Sequence, residues 1–154
     1  MDQRRMWIFQ ANPKLYNLLG ALADASLEED VWKVRQYKRE ICSGHIALIW
    51  MSGEKRGIYA VVDVTSNTQP LVESPQSAQY WIHESDRFQE MDRVKIHRAL
   101  NLRNTPILEE ELTRIPQLKD MQILGFRHKT NFKVEDDERL IILNLLKARF
   151  DYVP

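Results

Sequence analysis

The sequence predicts a mixed α/β domain of the α+β kind, built on a mostly antiparallel, hairpin-rich sheet. Two stretches carry this reading. "HIALIWM" and "GIYAVVDVT" flank the turn "SGEKRG" as a central hairpin. "DRVKIHRALNLRN" alternates apolar and polar residues as a long, half-exposed strand. The helical segments do not alternate with strands in βαβ units. Residues 1–154 suit one domain with a genuine core, since 44% of them are apolar and 29% charged.

Taken in order, "RRMWIFQAN" carries Met6, Trp7, Ile8 and Phe9 and reads as an opening strand. In "NPKLYNLLGALAD", Asn12 suits a helix cap and Pro13 the first helical position. Leu15, Leu18, Leu19 and Leu22 follow with helical spacing. "WKVRQYKREI" is too short and mixed to assign. In "HIALIWM", Ile46, Leu48 and Trp50 oppose Ala47, Ile49 and Met51, so both faces of a central strand are apolar. Residues 66–79 are the most loop-like part of the chain, yet a boundary there would leave halves too small to stand alone. On the later strand, Val94, Ile96, Leu100 and Leu102 should face one way, and Lys95, His97, Asn101 and Arg103 the other. "PILEEELTRI" and "EDDERLIILNLLKARF" read as helices. The second has acids in its first turn and Lys147 and Arg149 near its end, as the helix dipole favours.

Several function classes lose support here. No apolar run approaches the ~18–20 residues that cross a bilayer, and "MDQRRMWIFQ" lacks the apolar core of a secretory signal. The lone Cys42 has no partner for an internal disulfide, which fits a reducing cytoplasm. No glycine loop has phosphate-cradling spacing. His45, His83, His97 and His128 match no metal pattern with Cys42, so no metal and no cofactor are expected. Cys42 with His45 reads as a buried inert thiol rather than a nucleophile and base. No enzyme is expected. Net charge is zero, yet Lys33, Arg35, Lys38, Arg39, Lys55 and Arg56 face only Glu40 and Glu54 within residues 31–60. A neutral total can hide one basic face, although such clustering is commonly just solvated surface.

The ordered set "WIFQANPK", Trp32-x-Val34-x-Gln36-Tyr37, "ALIWMSGEKRGIYAVVDV", "YWI", "PILEEELTRIPQLKDMQIL" and "TNFKVEDDE" resembles an EVE domain. The variety it resembles stands at the N-terminus of McrB-like restriction proteins, within the PUA-like superfamily and related to YTH domains. The likeness spans nearly the whole chain; each motif alone is weak, and the ordered set is specific. It implies a small, curved β-barrel flanked by helices. It also implies a reader of modified DNA bases that flips the base into an aromatic pocket. Relatives often carry a "PQGTNF"-like loop where this chain has "FRHKTNF". His128 and Lys129 there either grip phosphate more strongly or serve a changed partner.

On the resemblance, Trp32 becomes a pocket wall, although its pattern alone reads as core. Tyr37 and Trp50 read equally as wall or packing, Trp7 and Phe9 as structural, and Trp81 as cover for an edge of the core. Gln10, Asn12 and Ser52 are candidates for reading the base edge, with Asn12 equally a helix cap and Ser52 equally a turn residue. Extruding a base costs a few kcal/mol, and stacking returns about 1–3 kcal/mol. An added methyl group discriminates by only about 1–3 kcal/mol. Phosphate contacts must supply the rest, and the candidates are Lys33, Arg35, Lys38, Arg39, Lys95, Arg98, Arg103 and Lys129.

The expectation is a non-catalytic DNA-binding module for a methylated or hydroxymethylated cytosine or N6-methyladenine. Its setting would be a restriction or defence system, with a motor or nuclease as partner. An RNA-binding module would instead prefer ribose. A protein-interaction domain would bind no nucleic acid and would bury Trp32.

Overall fold

The computed structural model describes residues 4–154; residues 1–3, part of the segment read for a secretory signal, lie outside the described residues. Fifteen elements follow one another along the described residues. Strand β1 (Met6–Ala11) leads to helix α1 (Leu18–Ala23), then β2 (Glu29–Lys33) and the hairpin β3 (Ile46–Met51) and β4 (Gly57–Val64). Next come β5 (Gln69–Leu71), α2 (Pro75–Ala78), a 3₁₀ turn (Glu84–Asp86) and the long β6 (Met91–Asn101). The chain closes with β7 (Ile107–Leu108), α3 (Glu109–Thr113), a 3₁₀ turn (Pro116–Leu118), α4 (Gln122–Gly125), β8 (Asn131–Lys133) and α5 (Asp136–Phe150).

The strands form one curled half-barrel sheet in the order β2-β6-β4-β3-β1-β8, with β5 added on β6 and β7 on β4. Only β1 and β3 run parallel among these pairings; every other pair is antiparallel. The expected hairpin is there, with Tyr59 of β4 bulging opposite the step from Ile49 to Trp50. Gly57 is required at its return: a Cβ would lie 2.3 Å from the Ile107 carbonyl oxygen, so only hydrogen lets β7 come so close.

Two apolar cores lie on the two sides of the sheet. Trp7, Phe9, Ala47, Ile49 and Met51 pack with α1, while Met6, Ile8, Ile46, Leu48 and Trp50 pack with α5 and the short helices before it. The alternation read in β1 and β3 therefore serves two cores at once. Helix α5 starts in a reciprocal cap between Glu135 and Glu138, and Ile142 and Leu146 seal its inner face.

Four expectations are corrected. The helix after β1 is short: Asn12 only turns the chain, its Oδ1 accepting from the Lys14 amide at 3.0 Å, and Asn17 caps α1 instead. Residues 107–108 pair with β4 before the expected helix begins. In β6 a bulge at Ala99 shifts the pleat, so Val94 and Ile96 enter one core while Leu100 and Leu102 meet the other. The loop-like stretch 66–79 also holds β5 and α2.

Candidate nucleobase-binding cavity

At the end of β1, next to the short α1, the first core is left incompletely covered. A cavity of about 290 Å³ opens there. That is near the lower end for small-molecule pockets, roughly 300 Å³, a size for one planar ring system rather than an extended ligand. Trp32, Tyr16 and Trp81 supply its aromatic lining. Tyr16 stands between the tryptophans, inclined 76° to Trp32 at 6.0 Å and 61° to Trp81 at 5.1 Å. Phe9 stacks on Trp32 at 6.5 Å from within the core and fixes its plane.

The end of β2 that carries Trp32 is pinned by buried amides. Asn131 Oδ1 accepts from the backbone amides of Arg35 and Gln36, and its Nδ2 donates to the Lys33 carbonyl. Gln36 Oε1 in turn accepts from the amides of Thr130 and Asn131. This reciprocal clasp joins the Trp32 wall to the 127–130 rim.

Gln10, Asn12, Trp32 and Ser52 all line the cavity. Each of the three polar groups is already engaged through one atom, however. Gln10 Nε2 donates to the carbonyls of Arg127 and Lys129, Asn12 holds its turn, and Ser52 Oγ donates to the Ala11 carbonyl at 3.3 Å. Tyr37 and Trp50 lie elsewhere. A left-handed turn at Tyr37 (φ 58°) lays its ring on Trp7 at 5.0 Å and lets its hydroxyl donate to Gln122. Trp50, 1% exposed, points into the α5-side core because its parity on β3 is that of Ile46 and Leu48.

Two lining groups were not anticipated as readers, Glu73 and Trp81. Glu73 is 6% exposed, and neither its Oε2 nor the Trp81 Nε1–H has a hydrogen-bond partner among the described residues. Burial, reinforced by the Asp30 charge, pushes the Glu73 carboxyl up to about 7. Arg93, Lys33 and the nearby Trp81 indole act against that rise, the indole without a bond of proper geometry. Arg93 is itself buried and committed to the Leu71 and Gln89 carbonyls. The sequence offered little signal for Glu73, a lone acid in the most loop-like segment.

Of the expected phosphate ligands, Lys33 and Lys129 line the cavity, and Lys33 Nζ lies 5.4 Å over the Trp81 ring. Desolvation, helped by Arg35 and Arg93, lowers the Lys33 pKa. Arg35 and Lys38 border a neighbouring open hollow with Lys33, and Lys38 pairs with Asp92 at 2.9 Å. Arg39 and Lys95 are exposed. Arg98 is spent on the Ala21 and Asp24 carbonyls at the end of α1, each of which also accepts a backbone amide, and Arg103 Nε donates to the Leu19 carbonyl. Arg127 also reaches the rim, but its guanidinium is held by Glu109 in a two-bond fork.

Cys42 is half-buried rather than buried, with Sγ 3.3 Å from His45 Nε2. Trp7 Nε1–H donates to His45 Nδ1, which leaves the imidazole proton on Nε2, facing the sulfur. Burial, then Arg5 and Arg4, lower the His45 pKa, so the ring offers that sulfur a proton and takes none from it. Among the described residues no group of three or more His, Cys, Asp or Glu could hold a metal ion, and no helix is long and apolar enough to cross a membrane.

Fold and cavity define a PUA-like protein: a curled, mostly antiparallel sheet flanked by a few helices, with an aromatic hollow at one sheet end. The chain belongs to the EVE domain family, whose sequence profile matches residues 5–145. Human THYN1 in complex with DNA containing 5-methylcytosine has a similar fold, at 16% identity and a TM-score of 0.63, over 92% of this chain and 96% of that one. The DUF55 domain of human thymocyte nuclear protein 1 is similar at 16% identity and a TM-score of 0.67, over 91% and 97%. A point variant of an ASCH protein of Zymomonas mobilis shares the fold more loosely, at 8% identity and a TM-score of 0.51, over 92% and 99%. Among curated protein sequences none matches this chain.

Proposed function

We propose that this EVE domain is a non-catalytic reader of a modified base in DNA. The base is flipped from the duplex into the cavity and stacks on Trp32. The observation that carries this reading is the cavity itself: ring-sized, walled by Trp32, Tyr16 and Trp81, and bordered by Lys33 and Lys129. A flat aromatic ligand between such walls gains stacking energy, and the two cations suit the phosphates on either side of it. That human THYN1 is seen with 5-methylcytosine DNA supports cytosine methylation as the mark to try first. The wider proposal, drawn from the sequence resemblance, is a one-domain cytoplasmic specificity module working beside a motor or nuclease in a restriction system.

The test is a binding titration with matched duplexes that are unmodified or carry one 5-methylcytosine or N6-methyladenine, at two salt concentrations. One modified duplex should bind more tightly, and Trp32→Ala should weaken that binding roughly tenfold or more through lost stacking. Equal, salt-sensitive binding to every duplex, unchanged by Trp32→Ala, would reduce this face to a generic polyanion surface. Tighter binding to an RNA of the same sequence would move the assignment to RNA.

A further inference from the structure

Each polar side chain that the sequence offered for reading a base edge is tied to the protein through one atom: Gln10 Nε2 to the 127–129 loop, Asn12 Oδ1 to its own turn, Ser52 Oγ to Ala11. Two further lining residues carry buried polar atoms that are not tied at all. Glu73 Oε2, an acceptor when ionised, and Trp81 Nε1–H, a donor, belong to two residues that line the same cavity, and both atoms are buried and unpartnered. A buried polar atom without a partner costs about 1–3 kcal/mol. Two such atoms on residues that line one ring-sized hollow are a pattern a ligand completes. Resting on the base-binding reading, we infer that Glu73 and the Trp81 indole read the Watson–Crick edge of the base, selecting one whose exocyclic amino group adjoins a ring-nitrogen acceptor.

Cytosine and adenine have that edge. Their amino group donates to the Glu73 carboxylate, a pairing that carboxylates make with cytosine in DNA grooves as well. Their ring nitrogen accepts from the indole. Thymine has the reverse edge, with a carbonyl oxygen where the amino group was and an N–H where the lone pair was. It would set acceptor against acceptor and donor against donor. A site built to hydrogen-bond one edge rejects the other strongly, because its buried groups stay unpaired. Trp81 therefore does more than cover the core: its ring is wall and its N–H is reader.

The inference carries a pH signature. Glu73 sits at about 7, so near neutrality it exists in both forms. Around it stand Asp30 and Lys33 of β2, Arg93 of β6 and Tyr16 of the turn before α1. The ionised form is acceptor-only and rejects thymine; the protonated form can donate to the thymine carbonyl, and discrimination relaxes. Glutamine in its place can turn either end of its amide toward the base, so position 73 accepts both edges at any pH and only the indole still discriminates.

The experiment compares 5-methylcytosine with thymine, which differ only on this edge, each placed opposite an abasic site so that neither is paired. The natural protein should prefer 5-methylcytosine by about tenfold or more, with the ratio rising between about pH 6 and about pH 8 as the carboxyl ionises. Glu73→Gln should still bind 5-methylcytosine, with a lowered ratio that reflects the indole alone and no pH trend. It should also fold, since it replaces a strained buried acid with a neutral group of the same shape. Trp81→Phe, which keeps a ring and removes the N–H, should lower the ratio in part. If Trp32→Ala abolishes binding while Glu73→Gln leaves the ratio and its pH trend unchanged, the edge-reading role is overturned and the base cavity stands. If Trp32→Ala changes nothing, both are overturned.

Discussion

Trp32 and Trp50 fall in one short aromatic-rich stretch of the sequence, and in the folded chain each sits near the end of a strand. The structure puts them on opposite sides of the sheet. Trp50 lies under the fifteen-residue α5 and its neighbouring helices, which close that side completely. Trp32 lies on the side covered by α1, six residues long, and by loops, where the core stays open at one end. A tryptophan becomes a wall or a plug according to how much helix covers its face of the sheet. The side that stability has sealed cannot bind a base, and the side that can bind one is held by buried amides instead.

The contrast can be broken most strongly at Trp50. Trp50→Ala should cost about 3–5 kcal/mol, as for a fully buried large aromatic, measured by urea unfolding. Trp32→Ala should cost less than half as much, because that side chain is only partly buried. Equal losses would mean that Trp32 is as much core as Trp50.

The next effect is a pH dependence of stability. The Glu73 carboxyl is raised from its ordinary 4.5 to about 7, so between those values the folded protein holds a proton that the unfolded chain has released. Stability contributed this way is complete below about pH 4.5 and declines as pH rises toward 7, levelling beyond it. The loss is on the order of 3 kcal/mol at most, since one pKa unit corresponds to about 1.4 kcal/mol. Thermal unfolding from pH 5 to 8 should show the decline, and Glu73→Gln should flatten it.

Asn131 tests the clasp on the open side. Asn131→Ala leaves the Arg35 and Gln36 amides without their acceptor and should cost about 1–3 kcal/mol. Hydrogen exchange should rise at residues 33–36 while α5 stays protected. The smallest effect belongs to Lys129 at the rim. Lys129→Ala should reduce the salt dependence of DNA binding by about one counterion and weaken all sequences alike; a change in base preference would place it inside the reading site.

Much of the scaffold was legible because its signals are local. The β3–β4 hairpin, the two-faced β3 and the acid-first, base-last α5 each follow from periodicity and end chemistry within one stretch. The Ala99 bulge was not legible, since a bulge is set by the partner strand and leaves the alternation in β6 intact. Trp32 could be singled out from the ordered family motifs, and Gln10, Asn12 and Ser52 do line the same hollow. What those side chains are free to do was hidden, because each finds its partner among residues 11, 14, 127 and 129 only once the chain is folded. Glu73 and Trp81 stand eight positions apart in a loop-rich segment that has no periodicity to read. The sequence by itself determined the strands, the long helix and the family. Only the tertiary structure decided which tryptophan is wall and which polar atoms are left unpaired, because both depend on what packs across the sheet from elements distant in the chain.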